Sequence, residues 1–218
     1  MQVRNGWAFS SFRGRQDGGG SGVVQTIYFI RHGQTGWNAE GRLQGSRDID
    51  LNAAGEAQAA AVAPRLAALA GDDLAGLDFV ASPLLRTRRT MEIMRTALGL
   101  PAQDYRTDPR LREIGFGAWE GSTWAEIRRR DPSAASQRDR MRWSHRPPGQ
   151  GGESYAMLVE RVGPVFAELG PRAVVVAHGG VARAMLVALG QLDIYAAPRL
   201  GIHQGEVLVV DGKGWRWA

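Results

Sequence analysis

The sequence predicts an α/β fold, a three-layer sandwich whose mostly parallel central sheet is flanked by helices on both faces. Two observations carry this. Short runs rich in β-branched residues, at 23–30, 77–81 and 173–177, alternate with longer stretches of helical composition. Strands interleaved with helices in this way pair in parallel, with the helices packed above and below. Size and composition agree: 218 residues, 44% hydrophobic and 22% charged, can bury a sizeable core and argue against wholesale disorder.

The elements follow in order. Residues 1–22 carry Arg4, Arg13 and Arg15 but no continuous apolar stretch, a poor signal peptide, and end in Asp17-Gly18-Gly19-Gly20-Ser21-Gly22. A disordered tail is expected there, and a single domain over 23–218. The first strand, 23–30, stops at Arg31-His32-Gly33. Asn52 caps an Ala-rich helix over 53–70 that Gly71 ends, with Pro64 expected to kink or break it. After the second strand, 77–81, Ser82-Pro83 reads as an N-cap followed by the first helical position. That helix is expected to run to 98, with Gly99 as its C-cap. Thr123 and Glu126 have capping-box spacing for a helix through 130. The Arg- and Pro-rich stretch 128–150 reads as part of an insertion, around 122–150, with little strand. A helix over 154–169 contains Pro164, which should kink it. The third strand, 173–177, ends at His178-Gly179-Gly180 and is followed by a helix over 181–189. Two closing strands, 206–210 and 214–217, complete the chain, which has no internal repeat.

Composition excludes several chemistries. There is no cysteine, so disulfides, thiolate metal sites and a cysteine nucleophile are ruled out. This fits a reducing compartment, and a cytoplasmic location is expected. No apolar run approaches the roughly 20 residues of a membrane span. The formal charge is +5 and Lys213 is the only lysine, so the cations are arginines, the side chain suited to bidentate grip on phosphate or carboxylate.

Ligands of open α/β sheets bind beyond the carboxyl ends of the strands. Three strands end in chemically loaded turns: Arg31-His32, Ser82-Pro83-Leu84-Leu85-Arg86, and His178-Gly179-Gly180. In a parallel sheet these turns meet at one edge. Two histidines and two arginines there suit a phosphoryl group, whose transfer is catalysed mainly by positioning and electrostatic stabilisation. A neutral imidazole is a competent nucleophile for phosphorus. The leaving alkoxide needs a proton, which Glu113, next to Ile114 and close to Phe116 and Trp119, can supply if burial keeps it protonated. Ser82 reads equally as a helix cap or as a ligand and is left out of the site.

At this point the resemblance is specific. Arg31-His32-Gly33-Gln34-Thr35-Gly36-Trp37-Asn38 resembles the signature of the histidine phosphatase superfamily, the phosphoglycerate mutase-like group. Arg42-Leu43-Gln44-Gly45, Ser82-Pro83-Leu84-Leu85-Arg86, the Glu113 to Gly121 stretch, Gly152-Glu153-Ser154 and Ala177-His178-Gly179-Gly180 resemble its later motifs in order. The resemblance implies that His32 is the phosphorylated nucleophile and that Arg31, Arg86 and His178 complete the phosphate pocket. It implies that Asn38, Gln44, Gly45 and Gly179 contact substrate, and that Glu113 donates the proton and later activates water. Gln34 departs from the family, standing where an acid is common, and His203-Gln204 stands where another polar residue is usual, so it is given no role.

A phosphatase acting on a small phosphorylated metabolite, without metal or cofactor, is therefore expected. Two rivals stay open. A cofactor-dependent phosphoglycerate mutase would resemble its relatives through an Arg-His-Tyr-Gly run after the acid, whereas here Ile114-Gly115-Phe116-Gly117 follows Glu113. A non-catalytic phosphate-ligand-binding protein would keep the pocket and lose turnover. A metallohydrolase is disfavoured, because His32, His145, His178 and His203 form no H-x-x-E-H or H-E-x-x-H pattern. The arginines from Arg128 to Arg146 are interrupted by Asp131 and Asp139 and lack a nucleic-acid motif. They read as a solvated surface or as a lid suited to a substrate with an extra acidic group. No nucleic-acid or membrane partner is expected, and the oligomeric state is open.

Overall fold

The computed structural model describes residues 25–218. The expected tail over 1–22, and the first two residues of the expected first strand, lie outside the described residues. Six strands form one sheet in the order β3-β2-β4-β1-β5-β6. These are β1 (Thr26–Arg31), β2 (Asp78–Ala81), β3 (Arg106–Thr107), β4 (Arg172–Ala177), β5 (Val207–Asp211) and β6 (Gly214–Trp217). The pairs β1·β4, β2·β4 and β2·β3 are parallel, whereas β1·β5 and β5·β6 are antiparallel.

Alternation along the strands separates two cores, as period-2 side-chain geometry requires. Ile27 and Phe29 of β1, with Ala173 and Val175 of β4, pack under α6 (Tyr155–Glu168) and α7 (Gly179–Ala188). Tyr28 and Ile30, with Val174 and Val176, face α2 (Ala53–Ala70) and α3 (Leu85–Ala97) on the other side. Both faces of β1 and β4 are therefore covered, which is why these strands read as near-continuous apolar runs.

The helices agree with expectation at most boundaries and correct it at several. Asn52 caps α2 through Gly55 N, and Ser154 caps α6 through Met157 N. Neither Pro64 nor Pro164 breaks its helix. Each sits on the solvent face, and the carbonyls deprived of a partner, on exposed Ala60 and Glu160, can bond to water. The helix after β2 starts at Leu85, two residues later than expected, and Leu84 caps it without a side-chain bond. Ser82 Oγ is engaged elsewhere. Between α4 (Trp124–Arg130) and α6 there is no strand, but a helix, α5 (Pro132–Arg140), was not anticipated. Its start was written in Asp131-Pro132: Asp131 accepts from Ala134 N and Pro132 opens the first turn. The two-residue β3 was also missed.

Candidate active site

The sheet brings the three loaded turns together. In the parallel register Arg31 lies opposite Ala177, His32 N donates to Ala177 O at 3.0 Å, and Ser82 N donates to Val176 O at 3.0 Å. His32, His178 and Ser82 therefore emerge side by side from β1, β4 and β2. The imidazoles of His32 and His178 meet edge to face, with centroids 5.2 Å apart. Behind them the first turn packs directly on α2: a side-chain carbon at Gly33 would lie 2.2 Å from Gly55 O, and one at Gly55 would lie 2.1 Å from Gln34 O. Only paired glycines permit that approach.

His32 is 3% exposed, and its Nδ1 lies 2.7 Å from Gly33 O. A carbonyl can only accept, so the proton sits on Nδ1 and Nε2 keeps its lone pair. Burial, with Arg86 and Arg31 alongside, holds the ring well below the usual histidine range, so it is neutral at pH 7. His178 is fully buried and is held down in the same way, by burial, Arg86, His32 and Arg31. Its Nε2 lies 2.8 Å from Ser82 Oγ, and its Nδ1 has no partner. Ser82 Oγ already accepts from Leu84 N at 3.4 Å. With the Ser82 hydroxyl donating to Nε2, Nδ1 carries the ring proton and is a buried donor without a partner.

Both arginines are oriented by carbonyls. Arg86 donates to Arg47 O (2.7 Å) and Gly45 O (3.0 Å), and Arg31 donates to Ile202 O (2.8 Å). Each retains an Nε with no partner. Burial pulls Arg86 down to about 10, which leaves it charged at neutral pH. Gly45 thus serves by holding Arg86 through its carbonyl. Gln44 is 7% exposed with an unpartnered Oε1.

Glu113 reaches this group from the loop after β3. Gly180 N donates to both its oxygens (3.1 and 3.2 Å), and Ile114 N donates to Oε1 at 2.9 Å. Its surroundings differ from the apolar setting anticipated: the half-buried carboxyl faces backbone donors, with Arg31 and Arg86 near enough to feel its charge. Trp119 belongs instead to a separate cluster with Ile127 and Ala135. The loop itself is clamped by Arg161, which donates to Arg110 O, Arg112 O and Glu113 O and forms a two-pronged pair with Glu153. Glu153 in turn accepts from Gly115 N. Glu120, the other acid of the motif, is tied to Ser46 N, Ser46 Oγ and Phe116 N. It therefore anchors the loop whose carbonyls hold Arg86.

Asn38 lies in the short helix α1 (Gly36–Ala39) and forms a reciprocal cap with Thr35. Its Oδ1 accepts from Thr35 N and from Gln204 Nε2, which also donates to His32 O. Gln204, left without a role by sequence reasoning, thus ties the first turn together. Gln34 faces away and accepts from Asn52 at the start of α2. Gly179 opens α7, and a side-chain carbon there would meet Arg183 Nη1 at 3.6 Å and Arg31 Nε at 3.7 Å. Sequence reasoning missed Ser82, Gln204 and the Arg161–Glu153 pair as parts of the site. From sequence Ser82 reads equally as cap or ligand, and long-range bonds such as those of Arg161 leave no local signature.

Arg31 and Asn38 also border a cavity of about 360 Å³ lined by Phe116, Trp124, Arg138, Arg142, His145, Tyr155 and Arg183, among others. Among the described residues, no three His, Cys, Asp or Glu side chains cluster so as to hold a metal ion. No helix of the described residues is long and apolar enough to cross a membrane.

A fold with paired histidines and arginines at one sheet edge defines a class, and comparison with known proteins agrees. The chain belongs to the histidine phosphatase superfamily, branch 1, whose family model matches residues 27–218. It is 33% identical over 196 residues to a probable phosphoglycerate mutase GpmB of Escherichia fergusonii, covering 88% of this chain and 86% of that protein. It is 34% identical over 173 residues to a metal-independent phosphoserine phosphatase of Arabidopsis thaliana, covering 77% and 70%. Its fold is similar to that of a mycobacterial glucosyl-3-phosphoglycerate phosphatase in complex with VO3, at a TM-score of 0.72 and 33% identity, covering 89% of this chain and 96% of that one.

Proposed function

We propose that the protein is a metal-independent phosphomonoester hydrolase that works through a phosphohistidine on His32. The observation that carries this reading is the 2.7 Å bond between His32 Nδ1 and Gly33 O, which leaves Nε2 unprotonated between the site's arginines. Substrate enters from the cavity bordered by Arg31 and Asn38, beneath the segment around 122–150. Its phosphoryl oxygens take the unspent donors of Arg31, Arg86 and His178 Nδ1. His32 Nε2 attacks phosphorus, the P–O ester bond breaks, and Glu113 relays to the leaving oxygen a proton that the substrate brings in as its phosphate monoanion. Glu113, now ionised, then takes a proton from water, the water oxygen attacks phosphorus, the P–Nε2 bond breaks, and phosphate leaves. The arginines stabilise the charge on the equatorial oxygens in both steps, and one such donor is worth ~10²–10³ in rate.

Relatives named as mutases support a second reading, in which the phosphoryl group returns to the substrate instead of passing to water. Release of inorganic phosphate decides between them. Wild type in EDTA should hydrolyse p-nitrophenyl phosphate and His32→Ala should not, with unchanged circular dichroism. An equally active His32→Ala would remove the proposed nucleophile. Activity seen only as phosphoryl exchange stimulated by 2,3-bisphosphoglycerate would establish the mutase.

A further inference from the structure

The carbonyl that accepts from His32 is itself held by a side chain. His32 Nδ1 lies 2.7 Å from Gly33 O, and that oxygen belongs to the peptide unit joining Gly33 to Gln34. The N–H at the other end of the same unit donates to Gln58 Oε1 at 2.8 Å. A backbone N–H can only donate, so the Gln58 amide must turn its oxygen inward. Gln58 is half-buried and reaches this point because α2 is pressed against the turn. Asn52, Gly55 and Gln58, each three residues from the last, are neighbours along one side of the helix start. Asn52 N donates to Gln34 O at 2.9 Å, Gly55 makes room for that carbonyl, and Gln58 closes on Gln34 N.

The preceding peptide unit is held differently. Gly33 N donates to Thr90 Oγ1 (3.0 Å), which donates to Arg86 O (2.7 Å), and His32 O accepts from Gln204 Nε2 (3.0 Å). These bonds fix the backbone, and none of them touches the imidazole. The Gly33–Gln34 unit alone lies between a side-chain amide and the ring. A peptide whose N–H is bonded has a more polarised carbonyl, and each such bond strengthens its neighbour by ~10–30%. The gain is largest once attack begins. When Nε2 gives its lone pair to phosphorus, the ring becomes positively charged with its proton still on Nδ1, because a peptide oxygen is too weak a base to remove it. The bond to Gly33 O is then charge-assisted, about twice as strong as one between neutral groups. An interaction that is stronger in the transition state than before it is the kind that accelerates a reaction. It also opposes burial, Arg86 and Arg31, which disfavour charge on this ring. When the P–Nε2 bond breaks, the electron pair returns to Nε2 and the ring is neutral again.

We propose that Gln58 is a positioning residue for the nucleophile, holding the Gly33–Gln34 peptide so that its carbonyl keeps the His32 proton on Nδ1 and favours the charged ring of the phosphohistidine. The proposal rests on the reading of His32 as nucleophile, and two readouts keep the two apart. Gln58→Met keeps length and helix propensity but lacks the amide, Gln58→Asn draws the amide back by one carbon, and Gln58→Glu returns an oxygen to the same place. For p-nitrophenyl phosphate, kcat should fall about tenfold in Gln58→Met and Gln58→Asn with KM unchanged, because the donors that bind phosphate are untouched; Gln58→Glu should stay within about twofold of wild type. The second readout is the Nδ1 proton resonance of His32, one of four histidines, assigned by its loss in His32→Ala. It should move upfield in Gln58→Met and Gln58→Asn and hold its place in Gln58→Glu. Thr90→Val is the control: it removes a bond from the neighbouring peptide unit, so it should lower the thermal midpoint and leave the resonance where it was. Wild-type kcat in Gln58→Met and Gln58→Asn would overturn the proposal. A fall in kcat with an unmoved resonance, or the same shift in Thr90→Val, would also overturn it, by reducing Gln58 to a structural bond. If wild type releases no phosphate, the hydrolase reading fails and the resonance alone decides: an upfield shift in either variant supports the positioning role, and an unmoved one ends it.

Discussion

Gly180→Ala displaces the proton donor without replacing it. Gly180 is the second residue of α7 and its φ is not positive, so alanine fits the backbone and should favour the helix by up to about 1 kcal/mol. The new methyl group would lie 2.3 Å from Glu113 Oε1 and 3.0 Å from Ile114 Cγ2. A carbon–oxygen contact needs about 3.3 Å, so the end of the Glu113 side chain must retreat by roughly 1 Å. A displacement of that size can cost about 10²-fold in rate. Only substrates that need a proton on the leaving oxygen should show it. The assay is kcat/KM for a series of alkyl and aryl phosphates, which reports steps up to the first phosphoryl transfer. Alkyl phosphates should lose about 10²-fold and p-nitrophenyl phosphate less than about tenfold, with the thermal midpoint unchanged or raised. An equal loss across the series would show that Glu113 does not protonate the leaving group; no loss at all would show that its position is immaterial.

Other outcomes follow from the same geometry. Ser82→Ala removes the group that fixes the His178 tautomer and leaves buried Nε2 unpartnered, a cost of about 1–3 kcal/mol in stability; kcat/KM should fall for all leaving groups alike, and a loss confined to poor ones would refute the assignment. Glu120→Gln should slow every ester in the same proportion by loosening the loop that holds Arg86, and a leaving-group dependence would instead make Glu120 the acid. For pH, His32 and His178 are held well below 6.5 when folded, whereas the unfolded chain protonates them near that value. The unfolded state then binds more protons as pH falls below about 6.5, so stability must drop, by up to ~1.4 kcal/mol per pH unit for each ring, until the folded rings themselves protonate. Urea denaturation between pH 7 and 5 should show a steeper decline for wild type than for His178→Asn, and identical slopes would refute it.

Much of this arrangement was legible before any coordinates, for a physical reason. The strands are buried on both faces and so advertise themselves as apolar runs, and the chemistry sits where those runs stop: Arg31-His32, Ser82 and His178. What was illegible depends on distance along the chain or on competition for one group. Ser82 can pass for a cap because it has the composition of one, yet His178, 96 positions away, meets its hydroxyl, and the helix starts at Leu85. Pro64 and Pro164 look like breaks because local rules omit solvent, which satisfies the carbonyls they orphan. The surroundings of Glu113 were inferred from its sequence neighbours, whereas its carboxyl is held by Gly180, 67 positions on.

The spacing of the two histidines has a consequence for how such a protein can change. Their rings lie 5.2 Å apart, close to the ~4.8 Å between any two neighbouring strands. The reacting pair is thus gauged by backbone hydrogen bonds of β1 and β4, which no side-chain replacement alters. The arginines of the adjoining cavity, Arg138 and Arg142, belong to α5 and the turn after it, outside the sheet. Mutation can therefore rewrite that outer segment, by substitution, insertion or loss, while the distance between the histidines stays fixed. Descendants of this chain can drift in what they accept long before they drift in what they do to it.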